Sequence, residues 1–300
     1  MLKTPLNVPQ QLAQFQSHGI LVQDEDEAAA LSILERVSYY RLSGYALEFR
    51  TSAHSDCYTS GTTIEQVYDR YRFDEGLRHI LRKYLEMAEI FYRTQIANAI
   101  SLRKCSQPPH DQHYDATNYY RKEHFQDLMV QLRKQLHYYK DSLFIQHHMG
   151  KYHGRMPLWV LVEVMSLSML SKYYSCLYRS DQEAVAAPLH TSARTLHNHL
   201  HALSVLRNKC AHAARLYNTV FSPKVILPVR VLRRASSLQT DTLFAYIIML
   251  AYRLPDESIK QAYKNDILTL LHEYQGKLPL ARIGLPSTDR EALETILQNA

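Results

Sequence analysis

From Ile64 to Leu102, apolar residues recur at helical spacing across 39 positions that contain no proline. Val67, Tyr71, Leu77, Leu81, Leu85 and Ala88 mark the stripe. Thr63 stands where an N-cap hydroxyl would satisfy the first free amides, and Gln107-Pro108-Pro109-His110-Asp111 breaks the run. A helix this long needs partners along its length, and the rest of the chain supplies helical patterns. Asp24-Glu25-Asp26-Glu27 places negative charge where a helix dipole favours it, and a helix over 28–40 follows with Leu31, Leu34 and Val37 on one face. Gly44 and the segment 52–63 read as loop. Further helices are predicted over 122–139, 158–178, 191–217 (capped by Thr191 or Ser192), 238–253, 256–274 and 288–298. The proline-punctuated stretch 225–232 is read as extended. No internal repeat is visible, and the fold class expected is all-α.

Composition narrows the class further. Eight Gly and 11 Pro among 300 residues exclude collagen-like or low-complexity architecture. A net charge of +6 permits a polyanionic partner without requiring one. Cys57, Cys105, Cys176 and Cys210 form no CxxC pair and are expected to be reduced core residues. No apolar run nears the roughly 18 residues of a membrane span, and the N-terminus carries no apolar signal core. A cytoplasmic protein away from membranes is expected.

The chemistry concentrates at residues 206–218, Leu-Arg-Asn-Lys-Cys-Ala-His-Ala-Ala-Arg-Leu-Tyr-Asn. An imidazole able to move a proton, near a guanidinium able to hold a phosphate, is the minimum equipment for RNA cleavage without a metal. Spacing alone does not select Arg207 and His212. An Arg followed by a His after four to six residues occurs five times, where chance gives about three or four in a chain with 22 Arg and 16 His. This pair alone has Asn next to the Arg and a second Arg close behind. At about 100° per residue, Leu203, Leu206, Cys210, Ala213 and Tyr217 share one face. Asn208, His212 and Arg215 form a stripe opposite, extended by Ser204 and His201, while Arg207 lies about 140° from His212. The stripe faces a cleft or a partner, or it is a solvated helix face.

Competing chemistries find less support. There is no phosphate loop, dinucleotide fingerprint, HExxH pair or nucleophile elbow. His110, His113, Asp111 and Asp115, then His147-His148, then His197, His199 and His201, are groupings that a His-rich chain produces readily, and no metal site is expected from them. Tyr is frequent, at 22, and often stands beside basic residues, as in Tyr39-Tyr40-Arg41, Tyr68-Asp69-Arg70-Tyr71-Arg72, Tyr119-Tyr120-Arg121-Lys122 and Tyr138-Tyr139-Lys140. Such rings stack single-stranded bases, or they sit at the core edge with the hydroxyl in water, the reading expected for most of them.

Four blocks resemble the Abi-like family of bacterial phage-defence proteins, the AbiD/AbiF group. They are Lys3-Thr4-Pro5-Leu6 with Gln10-Gln11-Leu12 and His18-Gly19-Ile20; Tyr39-Tyr40-Arg41-Leu42-Ser43-Gly44-Tyr45; Tyr71-Arg72-Phe73-Asp74 with Leu77-Arg78, Glu89 and Arg93-Thr94-Gln95-Ile96-Ala97; and Tyr152 through Pro157-Leu158-Trp159 and Glu163 to the Arg207 segment. They span residues 3–218 in order; the region after Pro223 is less distinct. The resemblance implies a HEPN-type helical bundle with additional N- and C-terminal helices. The expected division is an N-terminal segment 1–60, a HEPN-like core 61–222 and a C-terminal extension 223–300.

What the resemblance implies for function is a metal-independent endoribonuclease of abortive infection, toxic when active, that needs no cofactor. Arg207 and His212 match the family's Arg-x4-6-His pair, and Asn208 matches the polar residue after the Arg, which the resemblance implies would orient the imidazole or the phosphate. Arg215 matches a family arginine, and Tyr217 stands where an aromatic, often Trp, precedes the final Asn; these two and Lys209 are the expected RNA contacts. The 2′-OH would attack the adjacent phosphate, with His212 as base or acid and Arg207 stabilising the charge on phosphorus. The products are a 2′,3′-cyclic phosphate and a 5′-OH. HEPN sites are commonly composite, so a homodimer with both His212 residues in one cleft is implied. The rival readings are a non-cleaving RNA-binding regulator held with a structured noncoding RNA, and a protein-interaction module with no RNA affinity.

Overall fold

The computed structural model describes residues 4–285, and among these thirteen α-helices and no β-strand occur. In chain order the helices are α1 (Val8–Ser17), α2 (Glu27–Arg36), α3 (Tyr39–Ala46), α4 (Ile64–Lys104), α5 (Lys122–Tyr138), α6 (Leu143–Tyr152) and α7 (Leu158–Val164). There follow α8 (Leu167–Cys176), α9 (Arg179–Ala186), α10 (Ala193–Ala211), α11 (Val229–Arg234), α12 (Leu243–Ala251) and α13 (Glu257–Glu273). The all-α expectation holds. The helix expected over 288–298 lies outside the described residues.

The axis is α4, 41 residues or about 62 Å long at 1.5 Å per residue. It starts at the expected Thr63, whose hydroxyl accepts from the Gln66 amide while the Gln66 side chain accepts from the Thr63 amide. Packed on it are α3, α7, α9, α10 and α13. The closest partner of α10 is α8, and its other faces meet α4, α9 and α12. Every residue of α12 is buried, as an all-round apolar helix must be. The buried side chains form one cluster from Leu12 to Leu285, running through both expected boundaries near residues 60 and 223.

Local caps explain where helices begin and end differently from expectation. The run 158–178 is two helices because the Ser166 hydroxyl accepts from the Met169 amide and starts α8 afresh. Ser38 does the same for α3, which ends α2 early and takes Gly44 into a helix. Asn7 and Gln10 form a capping box around Pro9 and start α1, a helix not among those expected. No periodic apolar stripe of useful length marks α6 or α9. The 225–232 stretch is not extended sheet. Its first part straps onto α10, where the Asn198 side chain donates to Lys224 O and accepts from the Ile226 amide, and its second part begins α11. Cys105, Cys176 and Cys210 are buried, but Cys57 is exposed on the 52–63 loop; all four are free thiols. No helix among the described residues is long and apolar enough to cross a membrane.

Two buried histidines tie loops to this frame. His113 donates through Nε2 to Met156 O at 3.0 Å, and His199 on α10 donates to Ile226 O at 2.6 Å. Burial pushes His113 down to about 4, and burial with the nearby Arg253 guanidinium pushes His199 down to about 3. The unfolded chain binds these protons at ordinary imidazole pH while the folded chain does not, so stability falls as pH drops below about 6.5. Between pH 7 and pH 5 each histidine is expected to cost on the order of 2 kcal/mol, with the linkage of about 1.36 kcal/mol per pH unit. Urea unfolding at both pH values tests this. His199→Gln, which keeps an N–H toward Ile226, should remove roughly half of the acid loss contributed by the pair.

Candidate active site

Helix α10 carries Arg207 just before its last turn and Asn208 and Lys209 within it, and it stops at Ala211. His212 is its C-cap, Ala213 follows at φ +49°, and the Ala214 and Ala213 amides donate to Lys209 O and Cys210 O. This is a Schellman ending with alanine where glycine is usual. The sequence therefore shows no stop, and the expected helix to Tyr217 is corrected to one ending six residues earlier. Ala213 leaves the apolar face and is exposed. Leu203, Leu206 and Cys210 are buried as expected, and burial pushes the Cys210 thiol up to about 12.

The chain after the turn is held from outside. Asp74, 0% exposed on α4, accepts from the Leu216 amide (3.0 Å), the Tyr217 amide (2.8 Å) and the Tyr45 hydroxyl of α3 (2.6 Å), and pairs with Arg78 at 2.6 Å. Burial pushes the Asp74 carboxyl up, and Arg78, Tyr45 and the two amides pull against it. Two guanidinium groups cross between α3 and the turn: Arg41 donates to Ala213 O at 2.5 Å, and Arg215 donates to Gly44 O. Tyr217 is 1% exposed. Its ring meets Phe73 edge-on, and its hydroxyl donates to Glu48, which Arg70 also holds. It offers no open face to a base, so the expectation that it contacts RNA is corrected: Tyr217 is a core anchor of the turn. Lys209 lies over the Phe221 ring, 5.3 Å from its centroid.

The three motif side chains face three different hollows. Arg207, its side chain 39% exposed, lines one of about 440 Å³ with His79, Arg82, Lys83, Glu86 and Glu89. Its Nε is 3.4 Å from Glu89 Oε2, and Glu89 also accepts from Arg93, which donates to Met165 O as well. Asn208 lines a second hollow of about 410 Å³ and donates to the Ser168 hydroxyl at 3.1 Å. The exposed His212 lines a third, about 490 Å³, with Ser38, Tyr40, Arg41, Ser43, Gly44 and Arg215. The polar stripe read from the helical wheel is split in two: Asn208 keeps Ser204 and His201 beside it in the second hollow, whereas His212 and Arg215 line the third. One side of it was right: Arg207 and His212 diverge as the 140° separation demands.

The other histidine groupings have structural work. His110 bonds Cys105 O, His113 bonds Met156 O, and Asp111 pairs with Arg155 at 2.6 Å. His147 and His148 pack with Tyr152, while His199 is buried apart from His197 and His201, which line the Asn208 hollow. No group of three or more His, Cys, Asp or Glu able to hold a metal occurs among the described residues. Glu89 is the site residue that residue-by-residue reasoning missed as a partner of Arg207. Only its i, i+4 relation to Arg93 was visible, because the contact to α10 joins residues 118 positions apart.

A family model described as Abi-like protein matches residues 32–218, from within α2 to the end of the anchored turn. No curated protein and no solved structure matches the chain.

Two substitutions measure how the turn is held. Asp74→Asn places an amide against Tyr45 and leaves Arg78 buried without a counter-charge, an expected loss of about 3 kcal/mol in urea unfolding, against about 1 for Tyr45→Phe. Ala213→Gly removes the left-handed penalty while keeping the carbonyl that Arg41 grips, and should raise stability by about 1 kcal/mol, read as a higher urea midpoint.

Proposed function

Because this chain belongs to the Abi-like protein family, we propose that it is a phage-defence ribonuclease of the HEPN type, which cuts RNA without a metal and is toxic when active. The observation that carries this reading is the end of α10. Arg207 reaches solvent there from the helix itself, and His212 from its cap, just before a turn whose backbone is held by the buried Asp74 and by Arg41. Catalytic groups on a preorganised terminus need no reordering when a polymer arrives.

In the proposed reaction His212 removes the proton from a 2′-OH, whose oxygen bonds to the adjacent phosphorus. The P–O5′ bond breaks, and the leaving 5′-oxygen takes a proton from an imidazolium. Arg207 holds the charge that builds on the phosphoryl oxygens, oriented meanwhile by Glu89. Within one copy Arg207 and His212 open onto separate hollows. A two-fold homodimer in which Arg207 of one copy faces His212 of the other supplies both groups to one phosphate. Asn208, bonded to Ser168, acts through position and not through contact with the scissile bond.

The test is incubation of purified protein with labelled tRNA and mRNA in EDTA. Cleavage to 2′,3′-cyclic phosphate ends is expected, with Arg207→Ala and His212→Ala each at least about 100-fold slower. If heterodimers of the two variants recover cutting, the composite site is supported. RNA that is bound but never cut would overturn the catalytic reading in favour of an RNA-binding regulator.

A further inference from the structure

The string Tyr39-Tyr40-Arg41-Leu42-Ser43-Gly44-Tyr45 begins α3, and nearly every member has an internal partner. Tyr39 packs on Phe15 with ring centroids 4.4 Å apart, Leu42 is in the core, and Tyr45 donates to Asp74. Arg41 grips Ala213 O, the Ser43 hydroxyl donates to Tyr40 O, and Gly44 O accepts from Arg215. Tyr40 is the exception. Its side chain makes no hydrogen bond, ring contact or cation contact among the described residues, and it is 89% exposed.

Tyr40 stands in the hollow of His212. The charged residues lining that hollow are Arg41 and Arg215, with no carboxylate among the lining residues, whereas the hollow of Arg207 carries Glu86 and Glu89. Each of the two guanidinium groups spends an N–H on a backbone carbonyl and retains others for an anion. An open ring face, free cationic donors and a volume of about 490 Å³ together suit a flat heterocycle carrying a phosphate. A base within a duplex is already stacked and cannot lie on a side chain, whereas an unpaired base can.

We infer that Tyr40 is the stacking platform for an unpaired base next to the phosphate at His212, so that the site takes single-stranded RNA, with Arg41 and Arg215 on the flanking phosphates. This rests on the proposal that His212 faces RNA, but it adds the residue that selects the strand state.

The experiment measures fluorescence anisotropy of a labelled RNA oligonucleotide, single-stranded or annealed to its complement, in a His212→Ala background that leaves RNA intact. Adding Tyr40→Ala should weaken single-strand binding on the order of 10-fold, and Tyr40→Phe or Tyr40→Trp should preserve it. Duplex binding should be weaker than single-strand binding from the start and insensitive to all three. Tyr138→Ala, at another exposed ring, serves as the control and should bind as its parent does.

Unchanged single-strand affinity in Tyr40→Ala overturns the inference. An equal loss in Tyr138→Ala does so too, since it would reveal unspecific adhesion. A shift in molar mass by light scattering without a change in RNA affinity assigns Tyr40 to a contact between copies and also overturns it. Cleavage assays on the protein with His212 restored, with and without Tyr40→Ala, separate this failure from that of the underlying proposal. If the protein with His212 intact cuts single-stranded RNA and its Tyr40→Ala variant cuts with an unchanged KM, stacking falls and the ribonuclease stands. If RNA is neither bound nor cut, both fall.

Discussion

Asp74 organises the functional end of this molecule. Its carboxyl group is wholly buried on α4, where an unpaired charge would cost several kcal/mol. Its oxygens are satisfied only when three separate pieces of chain come together: the α3 hydroxyl of Tyr45, the α4 guanidinium of Arg78 and the backbone amides of Leu216 and Tyr217. The two amides belong to the segment just after α10 ends, so a buried polar requirement on one helix dictates where another stops. Glu48 repeats the logic a short distance away, collecting Arg70 and the Tyr217 hydroxyl from the same segment.

The alanine at the left-handed position of the α10 terminus is intelligible in that setting. A non-glycine residue there costs of order 1 kcal/mol and persists where surroundings over-determine it. Here the Schellman bonds, the Arg41 grip and the Asp74 amides all act within five residues of Ala213. The geometry that results turns His212 toward α3 and leaves Arg207 facing α4. One helix end thereby serves two surfaces of different character, one lined by guanidinium groups without acids and one in which a carboxylate already attends the arginine.

Much of the frame was legible from pattern. The long α4 with its Thr63 cap, α5, α13 and the start of α10 at Ser192 follow directly from apolar spacing and capping chemistry. The buried faces of α4 and α10 were readable for the same reason. Misreadings fall where a short cap competes with continuing periodicity, at Ser38 and Ser166, and where a helix stops without glycine or proline, at Ala213. Tyr217 is the instructive residue. The helical wheel placed it on the apolar face and the resemblance made it an RNA contact; the structure buries it by a route outside any helix.

By itself the sequence determined the all-α class, the long central helix and the presence of Arg207, Asn208 and His212 in one segment, because periodicity, capping and identity are local properties. Only the tertiary structure decided that these three side chains open onto different hollows, that Glu89 attends Arg207, and that Tyr40 stands beside His212 with its ring free. Each of those depends on contacts between residues 40 to 172 positions apart. Such contacts are set by how buried charges find partners across helices, and no window along the chain records that.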